Sequence, residues 1–155
     1  MASAPPGKVY ARNKQARRLY EILERFEAGI ELRGTEVKSV RAGQVSLNEA
    51  YARIQGGELY LLGCHIAPWS HGNIHNHDPD RPRRLLLHRR EIDRLAGKLE
   101  RQGLTLVPLQ LYAKGPYVKV ELALARGKRL HDRREDQRRR DAEREIARVL
   151  GRGRR

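Results

Sequence analysis

Short apolar runs separated by turn residues constrain the fold of this chain most strongly. The longest run, residues 20–32, places apolar side chains mainly at alternate positions, with Glu24 as an exception. Such alternation is typical of a strand with one buried face. The same run also fits a helical stripe, but Gly29 in its interior disfavours a helix. We therefore predict a long, half-buried strand here.

Four further runs have the composition of short strands: residues 51–54, 59–66, 104–112 and 117–125. Gly56-Gly57 separates the first two runs, and Lys114-Gly115-Pro116 separates the last two. Glycine-containing connections of this length indicate hairpins. The pattern therefore predicts two antiparallel pairs in addition to the long strand.

Two segments predict helices between these strands. Thr35 is a candidate N-cap for a short helix over residues 36–42, with its apolar positions facing inward. Residues 88–102 carry apolar side chains on one helical face and are followed by Gly103, a typical stop. Together, the two predicted helices contain fewer residues than the predicted strands.

The order of elements predicts a mainly β fold with short helices. At least five short antiparallel strands in one small domain favour a closed barrel, and an OB-like barrel suits a basic chain. Periodicity alone leaves other small barrels and sandwiches open. We expect a flexible N-terminus over residues 1–12, the barrel over residues 13–125 and a basic tail over residues 126–155.

The predicted tail differs in composition from the rest of the chain. Residues 126–155 contain 13 Lys and Arg against 6 Asp and Glu. Ile146, Val149 and Leu150 fall on one helical face, which is too small to fold alone in water. The tail should therefore be disordered in isolation and become helical on a polyanion.

The charge of the whole chain indicates a polyanionic partner. Lys and Arg total 33 against 19 acidic residues, which gives a net charge of +14. Nucleic acid is the commonest partner of so basic a small domain. No apolar run approaches the roughly 20 residues needed to span a bilayer, and no secretory signal opens the sequence. We therefore expect a cytoplasmic protein.

Basic residues form three clusters along the chain. They are Lys14, Arg17 and Arg18 beside Asn13, then Arg81, Arg83, Arg84, Arg89 and Arg90, then Arg126, Lys128 and Arg129. Contacts of such side chains with phosphates position a protein without specifying sequence. Aromatic residues make up only 5% of the chain, which disfavours stacking of many single-stranded bases. A structured RNA recognised by its shape is the better expectation.

Enzymatic chemistry has weak support in the sequence. His71, His75, His77 and Asp78 could hold the metal of a nuclease, but their spacing matches no known ligand pattern and they lie in a polar loop. The chain has neither a nucleophile elbow nor a phosphate-binding loop. We predict a protein that is not an enzyme and needs no metal or other cofactor, with a metal-dependent nuclease as a rival.

Several collinear stretches are similar to the SsrA-binding protein (small protein B) family. They are Asn13-Lys14-Gln15-Ala16, Phe26-Glu27-Ala28-Gly29-Ile30, Gly34-Thr35-Glu36-Val37-Lys38-Ser39-Val40-Arg41-Ala42-Gly43, His77-Asp78-Pro79, Arg83-Arg84-Leu85-Leu86-Leu87, Gly127-Lys128-Arg129 and His131-Asp132-Arg133-Arg134. The similarity covers nearly the whole chain from Asn13 onwards. Arg84 and Arg133 stand where the family usually has Lys, and both keep the charge.

The resemblance implies an OB-like barrel that binds the transfer-RNA-like end of transfer-messenger RNA and delivers it to stalled ribosomes. We expect the protein to act as a monomer. The RNA-contacting Asn, Glu and Leu of the family correspond to Asn13, Glu27 and Leu86. Basic residues complete the predicted RNA site: Lys14, Arg17, Lys38, Arg41, Arg83 and Arg84. A general RNA-binding or RNA-chaperone barrel is the alternative.

The resemblance also assigns a role to the tail. It implies that the tail enters the messenger channel of the ribosome when the channel is empty. The residues concerned are Gly127, Lys128, Arg129, His131, Asp132, Arg133 and Arg134. A messenger already in the channel would exclude the tail by volume and by charge.

Overall fold

The computed structural model describes residues 7–70, 76–128, 137–146 and 148. The strands in these ranges are β1 (Val9–Arg12), β2 (Tyr20–Ile30), β3 (Val45–Ser46), β4 (Tyr51–Gln55), β5 (Glu58–Leu62), β6 (His65–Ile66), β7 (Arg83–Leu86), β8 (Thr105–Lys114) and β9 (Tyr117–Gly127). The helices are α1 (Ala16–Leu19), α2 (Gly34–Arg41) and α3 (Arg89–Gln102), and residues 137–146 are also helical.

Six antiparallel strands close into a barrel. Their order is β8-β4-β5-β7-β2-β9, and β9 pairs back onto β8. β1 extends the sheet on the same side of β8 as β4, while β3 and β6 form a separate two-stranded ladder. Closure gives each of the six strands a neighbour on both sides, although β2 pairs with β7 only at Gly29 and Ile30. The predicted mainly β fold with an antiparallel barrel is confirmed.

The core fills the inside of the barrel and follows from strand alternation. In β9 every second residue from Val118 to Leu124 points inward, and these side chains are buried. Helix α3 covers one opening with Ile92 and Leu95, which are also buried. The apolar face predicted for residues 88–102 is therefore the face that packs on the barrel.

The predicted strand over residues 59–66 is broken at Gly63. This residue has φ of 71°, and a Cβ there would lie 2.7 Å from the carbonyl oxygen of Glu49. Only glycine adopts this conformation beside so close a backbone atom. As a result β5 ends at Leu62, and β6 leaves the barrel to pair with β3.

Three strands were not predicted from the sequence: β1, β3 and β7. Residues 9–12, expected to be flexible, form β1, and the amide of Ala113 donates a hydrogen bond of 2.8 Å to the carbonyl of Lys8 beside it. Residues 83–86, which begin with two arginines and precede α3, form β7. β1 and β7 have four residues each and β3 has two, which is too short for a clear alternation. Residues 1–6 lie outside the described part of the chain.

Helix α2 begins two residues earlier than predicted. Its N-cap is Arg33 rather than Thr35, and the amide of Arg33 donates a hydrogen bond of 2.7 Å to Glu36 Oε1. The carboxylate three residues into the helix therefore satisfies the amide at the cap. Thr35 Oγ1 bonds His77 Nδ1 at 2.8 Å instead.

A buried ion-pair network joins α2 to β7. Glu36 and Arg83 are both fully buried, and Arg83 Nε donates to Glu36 Oε2 at 2.7 Å. Arg81 binds the same carboxylate through Nη2 and through Nε, the latter at 3.1 Å. Burial opposes the charge of Glu36, but the hydrogen bonds from Arg81, the Arg33 amide and Arg83 outweigh it and lower its pKa.

The described part of the tail is helical over residues 137–146. Its residues are almost all exposed, and ion pairs three residues apart, such as Arg144 with Asp141 at 2.9 Å, lie along its surface. A helix of this length is marginal in water unless it packs on a partner. Among the described helices none has both the length and the apolar character that crossing a bilayer requires.

Replacing Glu36 tests the network. Glu36→Gln leaves two guanidinium groups without their counter-charge, which should lower the free energy of unfolding by about 3–5 kcal/mol in urea titrations. Glu31→Gln is the matched control, since Glu31 is 57% exposed and lies 3.8 Å from Arg84, and it should cost about 1 kcal/mol or less. Equal losses in the two variants would contradict a structural role for Glu36.

The stabilising effect of Glu36 should depend on pH. The pKa of Glu36 is lowered from 4.5 in the folded protein, so its stabilising effect is complete above that pH and is lost as the pH falls further. The stability gap between the unmodified chain and Glu36→Gln should therefore narrow between about pH 5 and about pH 3. A constant gap over this range would contradict the pKa direction.

Candidate nucleic-acid interface

The outer surface of β7, β2, β9 and β8 carries three of the nine predicted RNA-binding residues, Arg84, Leu86 and Glu27. Leu86 is the cross-strand partner of Gly29, which pairs with Lys119, which in turn pairs with Tyr112. Cross-strand partners point to the same face of a sheet, so these four residues form one row. Glu27 belongs to the adjacent row, opposite Glu121. We call this surface the outer face.

Glu27 is held on the outer face by two donors. Tyr112 donates its hydroxyl hydrogen to Oε2, and Lys114 Nζ donates to Oε1 at 2.8 Å. Partial burial opposes the charge of Glu27, but hydrogen bonds from Lys114 and Tyr112 outweigh it and lower its pKa. Glu27 is therefore a fixed carboxylate that offers only acceptors to a ligand.

The pKa of Tyr112 moves in the opposite direction. Burial raises it, and the hydrogen bond to the Glu27 carboxylate raises it further. The phenol therefore remains protonated and continues to donate to Glu27. This pair fixes the orientation of the carboxylate before any ligand arrives.

Asn13 anchors the turn between β1 and α1. Its Nδ2 donates to the carbonyl of Pro108 at 3.0 Å, and its Oδ1 accepts from the amide of Gln15 at 3.2 Å. The backbone amide of Asn13 also donates to Leu109, at 2.8 Å. One amide hydrogen and one lone pair of the side chain are not used by these bonds. Asn13 therefore positions the turn on β8 and can still contact a ligand.

A basic groove of about 360 Å³ runs between this turn and the outer face. Lys14 and Arg17 line it together with two residues that the sequence analysis did not select, Arg12 and Arg25. Arg25 lies 3.9 Å from Glu121 and two positions before Glu27 on β2. Alternation along the long strand places Arg25 and Glu27 on one face, which is the signal that could have identified Arg25.

Leu86 and Arg84 both point outward from β7. Leu86 is 46% exposed. Arg84 is about half exposed and donates to Glu58 Oε2 at 3.1 Å. An exposed apolar side chain and a basic side chain on neighbouring rows are both accessible to a ligand.

Arg83 does not belong to the interface. Its side chain is fully buried, where it pairs with Glu36 and donates to the backbone carbonyls of Cys64, Pro79 and Asp78 at 2.7, 3.0 and 3.2 Å. A guanidinium in this position cannot reach RNA. The prediction that Arg83 contacts RNA is therefore wrong, because the strand turns this residue inward and its neighbour outward.

Helix α2 adds two exposed basic residues beside the turn between β8 and β9. Lys38 and Arg41 are both exposed, and Arg41 Nη2 donates to the carbonyl of Pro116 at 3.1 Å. This bond joins the end of α2 to the hairpin. The two side chains thus extend the positive surface from the hairpin onto the helix.

The first residues assigned to the tail belong to the barrel. β9 continues to Gly127, which pairs with Tyr20, and the amide of Lys128 donates to the carbonyl of Leu19 at 2.9 Å. The barrel therefore extends past the predicted boundary at residue 125. The other predicted ribosome-contacting residues lie outside the described part of the chain: Arg129, His131, Asp132, Arg133 and Arg134.

The described residues give no support to a metal centre. His77 is buried, with Nε2 donating to the carbonyl of Ile66 at 2.9 Å and Nδ1 facing Thr35. Within the described ranges no group of three or more His, Cys, Asp or Glu could hold a metal ion. His71 and His75 lie outside those ranges. Burial raises the pKa of the Cys64 thiol to about 11, so it is a poor nucleophile.

Comparison with known proteins identifies the family to which the chain belongs. The family model described as "SmpB protein" matches residues 10–152. The chain belongs to the SmpB protein family. An SsrA-binding protein of Carboxydothermus hydrogenoformans is 56% identical over 143 residues, which is 92% of this chain and 96% of that protein. One from a Mycobacterium species is 59% identical over 145 residues, 94% of this chain and 86% of that protein.

A solved structure is also similar to this SmpB-family chain. It is described as "tmRNA-SmpB: a journey to the center of the bacterial ribosome". The TM-score is 0.64 at 55% sequence identity, over 77% of this chain and 84% of the other. The barrel is therefore shared with a protein studied on tmRNA and the ribosome.

The hydrogen bonds made by the Asn13 side chain predict a loss of stability when Asn13 is replaced. Asn13→Ala removes the bonds to Pro108 and Gln15, which should lower the free energy of unfolding in urea by about 1 kcal/mol. Lys14→Ala, in the same turn and exposed, is the matched control and should change stability by about 0.5 kcal/mol or less. Identical stabilities for the two variants would mean that Asn13 does not anchor the turn.

Proposed function

We propose that the chain binds transfer-messenger RNA through the outer face and the basic groove, and delivers it to stalled ribosomes for trans-translation. Membership of the SmpB protein family, together with its SsrA-binding relatives, carries this proposal. The likeness to a tmRNA-SmpB structure on the ribosome supports both partners.

The geometry of the site suits a folded RNA. Lys14, Arg17 and Arg25 line the groove, where they neutralise phosphates and orient the protein without reading sequence. Glu27 presents a fixed carboxylate that can accept hydrogen bonds from base amino groups. Leu86 adds an apolar contact for a base or sugar. A shape with phosphates over the groove and an unpaired base near Glu27 would satisfy all three.

The tail acts at a different place in this proposal. Its residues beyond Lys128, including Arg129, His131, Asp132, Arg133 and Arg134, occupy the messenger channel when it is empty. The RNA walls of the channel neutralise the charge and stabilise a helix that is marginal in water. A messenger in the channel would compete for the same space, so the tail would report its absence.

The chain itself breaks no covalent bond in this proposal. It uses no metal or other cofactor and acts in the cytoplasm as a monomer. A general RNA chaperone built on the same barrel is the second candidate, since the basic groove would also bind other RNAs. Selectivity for transfer-messenger RNA separates the two.

A competition gel shift tests the proposal. The probe is labelled transfer-messenger RNA in an excess of bulk transfer RNA at about physiological salt. The full-length chain is compared with a version that ends at Lys128, because the strand and its last backbone bond extend to that residue. Both proteins should bind the probe selectively, because the proposed site for this RNA lies on the barrel and is present in both.

Other results would redirect the proposal. Selectivity that disappears with the tail would place recognition outside the barrel. Binding without selectivity by either protein would favour the RNA chaperone. Cleavage of the probe that depends on added divalent metal would support the nuclease rival instead.

A further inference from the structure

We propose that Tyr117, together with Lys119 and Leu86, forms a platform on which one unpaired base of the bound RNA stacks. The inference rests on the proposed function and adds a binding site at the hairpin between β8 and β9. It differs from the Glu27 contact, because it uses an aromatic surface rather than hydrogen-bond acceptors.

Tyr117 is the most exposed large apolar side chain among the described residues. It is 68% exposed, whereas its cross-strand neighbours at the same level of the barrel are charged or small. Aromatic residues are few in this chain, and most of the others are at least partly buried. The ring of Tyr117 contributes nothing to the buried core, so its exposure has no packing explanation.

The backbone around Tyr117 is held in place before a ligand binds. Lys114 pairs with Tyr117 across a two-residue turn of Gly115 and Pro116, and Gly115 has φ of 58°. Arg41 of α2 donates to the carbonyl of Pro116 at 3.1 Å. A short turn that is bonded to a helix limits the motion of the backbone at Tyr117, which reduces the entropy lost when a base stacks there.

The platform continues from the ring towards Leu86. Lys119 Nζ lies 5.9 Å from the centre of the Tyr117 ring, in cation–π range. A Cβ on Gly29 would lie 3.2 Å from Leu86 Cβ and 3.6 Å from Lys119 Nζ. Leu86 and Lys119 therefore come together over Gly29, where the absence of a side chain leaves room for both. The result is an aromatic surface, an ammonium group and an aliphatic surface in series.

The chemistry of this surface favours a nucleobase of RNA. A base has a flat apolar face for Tyr117 and Leu86, and the phosphates beside it are attracted to Lys114, Lys119 and Arg41. An acidic peptide would satisfy the cations but would not use the exposed ring. The base must be unpaired and unstacked, since neighbours cover the faces of bases in a duplex.

Two substitutions of Tyr117 test the platform. Tyr117→Ala removes the ring, and Tyr117→Leu keeps an apolar side chain without a π face. The probe is full-length transfer-messenger RNA, with bulk transfer RNA as competitor and the full-length protein throughout. Both variants should weaken binding by about 5-fold to about 100-fold, whereas Tyr117→Phe should retain the affinity of the unmodified chain.

Two controls separate stacking from charge and from misfolding. Tyr51→Ala removes an aromatic residue that is 43% exposed on β4, and it should leave affinity unchanged. The slope of log affinity against log salt should be unchanged in Tyr117→Ala, but should fall by about 0.7 to 0.9 in Lys119→Gln, which loses a phosphate contact. Circular dichroism and thermal unfolding verify that each variant is folded.

Each outcome decides between the proposals. If the unmodified chain does not select transfer-messenger RNA, the proposed function fails. If the unmodified chain is selective and Tyr117→Leu binds equally well, the platform alone is wrong. A loss in Tyr117→Phe as large as that in Tyr117→Ala would also overturn stacking, because it would assign the contact to the hydroxyl group.

Discussion

The buried ion pair between Glu36 and Arg83 determines which side chains of β7 face a ligand. Because Arg83 is held inside the barrel by Glu36 and by backbone carbonyls, alternation turns Arg84 outward, Leu85 inward and Leu86 outward. A slip of one residue would bury Leu86 and leave Glu36 without its partner. The desolvation of two charges is a high cost for a small domain. The ion pair also specifies the register of β7, the strand that carries Arg84 and Leu86.

The proposed interface depends on contacts within the protein that are present without RNA. Glu27 is oriented by Tyr112 and Lys114, the turn at Asn13 is bonded to β8, and the hairpin after Lys114 is bonded to Arg41. A closed barrel supports all three, because each of its six strands pairs with a neighbouring strand on both sides. Preorganisation of this kind leaves more of the contact energy for affinity and selectivity. The residues implied by family resemblance thus have structural roles in addition to the ligand-binding roles proposed for them.

Sequence reasoning predicted the elements whose periodicity is long enough to measure. The predicted strand over residues 20–32 and the predicted helix over residues 88–102 each repeat their pattern of apolar residues several times. Both elements were found with nearly the predicted bounds. β1 and β7 have four residues each, so their alternation is not distinguishable from chance. Arg83 and Arg84 look identical in sequence, and only the partner of one of them, 47 residues away in α2, separates a core residue from a surface residue. Gly63 appeared to be part of a strand because its effect depends on a distant carbonyl.

We propose that the barrel binds transfer-messenger RNA and that the tail enters the empty messenger channel. A reconstituted rescue reaction tests these separate roles most directly. Ribosomes stalled on a messenger that ends in the decoding site receive aminoacylated transfer-messenger RNA with either the full-length chain or the chain ending at Lys128. The account predicts that both proteins bind the RNA, but that only the full-length chain supports peptidyl transfer to it. Equal peptidyl transfer with the shortened chain would contradict a role for the tail in the messenger channel.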